Sequence, residues 1–250
     1  MRALRRFTVP AILFGVLALA VLPLAGCEST QSKSAELEAQ GVDLAKAEKI
    51  DLGAMNRRIE VVEKVVLSDE NGSAVAVVMK NKSAEGLADA PIGIDVKGAN
   101  GKSVYRNDMA GMETSLIQVP VMRPDSEVYW VNDQVIATAP PKKVDVKVGE
   151  AAPLPADLPE IEISEPELVN DPTSGLEATG TASNKSGIEQ VDLVLYAIAR
   201  KNGKIVAAGR GQIPRLKVGG KKETFHIFFI GNPAGADVTV IAPPVNLEQE

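Results

Sequence analysis

Cysteine occurs once in the 250 residues, at Cys27, and histidine once, at His226. A zinc or copper centre normally draws on several His or Cys ligands, so a transition-metal site has almost no material here. Serine catalysis would need His226 as its base, and no Gly-x-Ser-x-Gly elbow accompanies it. Carboxylate pairs for glycoside chemistry reduce to Asp69-Glu70 and Glu165 with Glu167, both where turns or strand edges are expected and solvated surface is the ordinary role. No Asp-x-Asp-x-Asp-Gly loop offers a calcium site. Gly219-Gly220-Lys221-Lys222 lacks the spacing of a phosphate loop and suits a hairpin turn. A lone cysteine closes no intrachain disulfide, so each domain depends on its apolar core. The chain is expected to be non-enzymatic, without cofactor or metal.

Charge is missing as well, between Arg6 and Glu28. The chain opens on Met1-Arg2-Ala3-Leu4-Arg5-Arg6 and runs through an apolar stretch to Leu22. A basic start, an apolar centre and a small-residue end make a secretory signal. Its last four residues, Leu24-Ala25-Gly26-Cys27, resemble the bacterial lipobox. That resemblance implies cleavage before Cys27 and a diacylglycerol thioether on its sulfur. The apolar run approaches the ~20 residues that span a bilayer, but Pro23, Ala25 and Gly26 suit an extended cleavage zone better than a helix end. The mature chain would hold 24 basic against 33 acidic residues. This balance speaks against nucleic acid as a partner and against charge-driven adhesion to anionic lipid.

Residues 27–57 are polar and read as a tether lifting the folded part off the membrane. From Ile59 short β-type runs alternate with turn residues. The expected strands lie at 59–67, 74–79, 92–96, 115–121, 127–131 and 144–148, with a hairpin signal at Asn71-Gly72. A Pro-rich break at 150–159 reads as a semi-rigid linker. The β pattern then resumes: Ile161 and Ile163 alternate with Glu160 and Glu162, Val191, Leu193 and Leu195 with Asp192, Val194 and Tyr196, and Phe225, Ile227 and Phe229 with Thr224, His226 and Phe228. Apolar residues on both faces of the last two runs suggest central strands.

The two halves are alike. Asn81-Lys82-Ser83 recurs as Asn184-Lys185-Ser186, and Asn100-Gly101-Lys102 as Asn202-Gly203-Lys204. The segment from Val121 to Trp130 aligns with Leu216 to Phe225, and Val144-Asp145-Val146 with Val238-Thr239-Val240. A unit of this length is too long for a solenoid repeat and suits a duplicated sandwich. The expected architecture is all-β, with two tandem immunoglobulin-like β-sandwich domains at 58–149 and 160–250, following a leader (1–26) and the tether. In the second copy, Leu193-Val194-Leu195-Tyr196-Ala197 followed by Asn202-Gly203-Lys204 resembles the FxLYD type of immunoglobulin-like domain, with Leu193 in place of the Phe and Ala197 in place of the Asp. The first copy keeps only the spacing, at Ile92-Gly93-Ile94-Asp95-Val96. The resemblance implies an extracytoplasmic envelope sandwich whose signature residues are structural.

Tyr105 with Arg106 is the candidate binding surface, because Trp130 aligns with Phe225 and is assigned to the core. The expected function is a lipid-anchored extracytoplasmic module that binds or scaffolds another envelope protein or glycan. The alternative is a ligand-capturing lipoprotein serving a transporter.

Overall fold

The computed structural model describes residues 50, 52–109, 111–154, 158–171 and 175–248. The expected leader, its Leu24, Ala25 and Gly26, the acylation site Cys27 and most of the tether lie outside the described residues.

The first half contains β1 (Ile59–Asp69), β2 (Gly72–Asn81), β3 (Leu87–Gly98), β4 (Ser103–Arg106), β5 (Gln118–Met122), β6 (Glu127–Asn132), β7 (Pro141–Val148) and β8 (Ala152–Pro153). The second contains β9 (Ile161–Ile163), β10 (Glu167–Asp171), β11 (Gly175–Asn184), β12 (Gln190–Lys201), β13 (Lys204–Leu216), β14 (Lys222–Phe228), β15 (Ile230–Gly231) and β16 (Asp237–Ile241). Among the described residues there is no α-helix; a single 3₁₀ turn covers Thr114–Leu116. The fold is all-β and its ladders are antiparallel, as the alternating runs predict.

Each half is a sandwich, and the two repeat one topology. The order β1-β2-β6 recurs as β9 and β10, then β11, then β14. The facing sheet places β7 and β8 on one side of β3 and β4 and β5 on the other, and this recurs as β16-β12-β13. Register confirms the alignment residue by residue. Trp130 pairs with Val77 and Phe225 with Gly180, at corresponding positions, and both aromatics are buried. One step is shifted: Leu87 pairs with Met122 where Gln190 pairs with Leu216, so Leu216 corresponds to Met122 and not to Val121.

Asn-Lys-Ser is a structural staple in both copies. Asn81 and Asn184 are fully buried at the ends of β2 and β11. Asn81 Nδ2 donates to the carbonyls of Glu85 (2.7 Å) and Arg123 (3.1 Å), while its Oδ1 accepts from the Ser83 amide (3.0 Å) and hydroxyl (2.7 Å). Asn184 repeats this with the carbonyls of Ile188 (2.7 Å) and Leu216 (3.3 Å) and the Ser186 amide (2.9 Å) and hydroxyl (2.7 Å). Each amide thus satisfies the backbone where the chain leaves one sheet for the other, which a buried turn requires. Even the intervening lysines match: Lys82 pairs with Glu60 at 3.3 Å and Lys185 with Glu162 at 3.0 Å.

The two sandwiches pack into one compact unit. Strands β12 and β13 lie on β6, while β13 and β15 lie on β1 and β2. The order of layers is therefore β3 with its neighbours, then β1-β2-β6, then β15-β13-β12-β16, then β10-β11-β14. This stacking explains why β12 is apolar on both faces. Leu193, Leu195, Ala197 and Ala199 enter the second core, whereas Tyr196 and Ile198 join the core of the first half.

Three local expectations are corrected. Ser115 does not begin a strand: the 3₁₀ turn occupies Thr114–Leu116, and β5 starts at Gln118. Val191 does not share the buried face of Leu193: Asp192 between them adopts a left-handed φ of 53°, and Val191 is 39% exposed. Of the Pro-rich segment, Ala152–Pro153 pairs with the start of β3 as a two-residue edge strand.

Candidate functional site

The most developed concavity is a cleft of about 630 Å³ between the two halves. One wall comes from the segment joining β4 to β5 and from Asp133 just after β6; the other is the outward face of β12 and β13. The cleft exists because of one length difference. Between Arg106 and Gln118 the first copy has residues 107–117, while at the corresponding place the second has only Gly209-Arg210-Gly211.

The longer segment is held from below by Asn107, which is fully buried. Its Oδ1 accepts from the Ile94 amide (2.7 Å), and its Nδ2 donates to the carbonyls of Ile92 (2.9 Å) and Leu116 (2.8 Å). The side chain thereby fills the hydrogen-bonding gap where β3 loses its neighbour between β4 and β5. In the second copy the gap never opens. Gly209 and Gly211 let β13 cross close to β14: a Cβ at Gly209 would stand 2.0 Å from the Phe228 carbonyl oxygen, and one at Gly211 2.7 Å from the Ile227 side chain. The residue between them points the other way, into the cleft.

That residue, Arg210, is the hub of the site. Its side chain is only 10% exposed. Nε donates to Asp133 Oδ1 (3.0 Å), Nη1 to Glu113 Oε2 (3.2 Å) and Ser115 Oγ (2.5 Å), and Nη2 to Glu113 Oε2 (3.3 Å). A planar guanidinium suits such a fan of acceptors better than an ammonium would. Beneath it, the Ser115 carbonyl accepts from Trp130 Nε1 (2.9 Å) and from the Tyr196 hydroxyl (3.4 Å). Burial pushes the Tyr196 phenol far above its usual range, so it stays a donor. A second ion pair, Arg200 with Glu63 at 2.7 Å, clamps the halves elsewhere, as does the Gly231 amide donating to Asp69 Oδ2 at 2.7 Å.

Two more carboxylates line the cleft, and they are repeat partners. Asp89 and Asp192 occupy the same position in the two copies, each with a left-handed φ, 54° and 53°. Aspartate is among the few non-glycine residues that tolerate this conformation. Asp192 Oδ1 accepts from Gln212 Nε2 at 3.1 Å. Partial burial pushes the Asp89 carboxyl above its ordinary value, although the residue remains exposed.

The residues chosen from sequence fare differently. Tyr105 is not an exposed aromatic: it is 6% exposed, and its hydroxyl accepts from Asn132 Nδ2 at 3.1 Å inside the first core. Its polar neighbours Arg106-Asn107-Asp108 point to exposure, whereas it lies within the short edge strand β4 and faces inward. Arg106 is exposed and pairs with Asp108 at 2.7 Å, away from the cleft lining. His226 projects from β14 to solvent, with Nδ1 3.0 Å from Glu177 Oε1. Asp69 is occupied with the amides of Asn71 and Gly231. Among the described residues no three His, Cys, Asp or Glu side chains gather as a metal site.

Arg210, Glu113, Asp133, Asp89 and Asp192 escape the expectations drawn from sequence. Two signals for them were present: an arginine framed by glycines inside an apolar strand, and an aspartate recurring at one repeat position within apolar runs.

No protein-family model and no curated protein matches the chain.

Proposed function

We propose that the chain is a lipid-anchored extracytoplasmic lipoprotein of the FxLYD-like kind, acting as a non-enzymatic binding module of the envelope through the cleft between its two sandwiches. The observation that carries the binding reading is the state of that cleft. It is built from both copies, and two of its four acids, Glu113 and Asp133, are held by Arg210. Glu113 and Asp133, locked to one guanidinium, serve architecture and recognition rather than proton transfer. The leader ending in Leu24-Ala25-Gly26-Cys27 supports the compartment, and two or more acyl chains give stable anchoring where one does not.

The reading is tested in cells. An alkynyl fatty acid should label the wild-type chain and not the Cys27→Ala variant. A photo-crosslinking residue at Gln134, in the cleft, should capture an envelope component that one at Thr224, on the far sheet, does not. An unlabelled wild-type chain, or equal capture from both positions, overturns the proposal.

The volume of the cleft, within the range of small-molecule sites, favours a second reading: capture of a small solute for a transporter. Crosslinks to a transport permease alone would select it.

A further inference from the structure

A second, apolar hollow of about 400 Å³ opens beside the cleft, lined by Ile50, Pro91, Met109, Met112 and Ile117, and Asp89 and Gln118 line both. The two hollows adjoin at Asp89 and Gln118, one lined mainly by apolar side chains and the other carrying the charged ones. Met109 is 54% exposed at its rim. Methionines there give an adaptable apolar surface, since the thioether chain is flexible and polarisable.

At the charged end the signs do not balance. Four carboxylates, Asp89, Glu113, Asp133 and Asp192, face one guanidinium. Arg210 serves Glu113 and Asp133, which leaves Asp89 and Asp192 without a cationic partner among the described residues. Two unneutralised carboxylates next to an apolar hollow are complementary to a cation carried beside an aliphatic group.

Resting on the binding-module reading, we propose that the joined groove holds an extended segment of a partner protein in which an aliphatic residue adjoins a lysine or arginine. The aliphatic side chain enters the hollow of Met109, Met112 and Ile117, and the cation lies at Asp89 and Asp192. Because the two aspartates hold left-handed backbone positions, which asparagine also tolerates, asparagine can replace them without straining the backbone, so charge is separable from fold.

The test uses the full chain in lipid nanodiscs and fluorescence anisotropy with labelled, end-blocked Gly-Leu-Lys-Leu-Gly. Saturable binding is expected, weakened at least about tenfold when the peptide lysine is replaced by glutamate and again by the double variant Asp89→Asn, Asp192→Asn. Met109→Ser should weaken binding about threefold, consistent with losing roughly one buried CH₂ at the rim, whereas Phe228→Ser on the far sheet should leave it unchanged. The inference is overturned by no saturable binding, by equal binding of the glutamate peptide, or by indifference to the double variant. Displacement by octylamine as effective as by unlabelled peptide would overturn it in favour of a small amine. If binding fails while Cys27 labelling and cleft crosslinking succeed, only this inference falls; if labelling or selective crosslinking fails, the function proposed above falls first.

Discussion

The outward face of β1-β2-β6 and that of β10-β11-β14 occupy the same place in their repeats and have opposite character. On the first, Ala76, Val78, Tyr129 and Val131 stand where the second carries Thr179, Thr181, Thr224 and His226. Ala76 and Val131 are fully buried, whereas Thr224 and His226 are exposed. The larger sheets show the mirror of this: Gly93, Asp95 and Lys97 in the first copy correspond to Tyr196, Ile198 and Arg200 in the second. Asp145, the partner of Asp95 across the sheet, forms an ion pair with Lys97. Apolar side chains sit on the two sheets that meet, and charged or hydroxyl side chains on the two that do not. The interface between the repeats is thus written by four faces of a duplicated fold diverging in pairs.

The sharpest way to break this contrast is a matched pair of charges. Ala76→Glu buries an unpaired carboxylate between the sandwiches and should destabilise the chain by about 4 kcal/mol or more. The corresponding Thr179→Glu should change stability by no more than about 1 kcal/mol. Urea denaturation of the two variants measures the gap, and equal losses would mean that the first face is not covered. Next comes Arg210→Ala, which leaves Glu113 and Asp133 without their cation and should cost about 3 kcal/mol. Arg200→Ala, at a pair about one-third exposed on each side, should cost no more than about 1 kcal/mol. The staples should respond alike. Asn81→Ala and Asn184→Ala each orphan buried carbonyls and should cost about 2–3 kcal/mol apiece. A loss confined to one of them would show that the two staples are not energetically equivalent.

The smallest effect is a pH dependence. Tyr196 has its folded-state pKa raised above the ordinary value of 10.0 by burial, so the folded chain keeps a proton that the unfolded chain releases. This contribution to stability is whole below about pH 10 and declines as pH rises further. Tyr196→Phe should lose about 1 kcal/mol at neutral pH, for its hydrogen bond to Ser115, and should lessen the alkaline decline. Thermal melts at pH 8 and pH 11 distinguish the variant from wild type; identical slopes would show that Tyr196 titrates normally.

Much of the fold could be read before the coordinates, because its determinants are local. Asn-Gly-Lys hairpins and the alternation of Phe225, Ile227 and Phe229 each act within one strand or turn, and the recurrence of Asn-Lys-Ser marks the repeat even though its side chains also bond distant carbonyls. The packing of one sandwich on the other was not legible. An apolar outward face on β12 is equally compatible with a central strand, and nothing local says which distant sheet will cover it. The cleft was illegible for the same reason: Glu113, Asp133 and Arg210 are far apart in the chain, and each looks like ordinary surface charge. Tyr105 misled because its polar neighbours Arg106 and Asp108 are exposed or partly so, while Asn107 between them is a buried hub whose role depends on a missing strand contact.

A tandem duplication ordinarily doubles whatever its ancestor could hold, giving two equivalent sites per chain. Here the longer crossing from β4 to β5 is present in one copy only, and the other copy's short Gly-Arg-Gly crossing is spent closing against it. Among the described residues the cleft is built jointly by the two copies and not once in each, so the proposed partner segment is expected at a stoichiometry of one per chain.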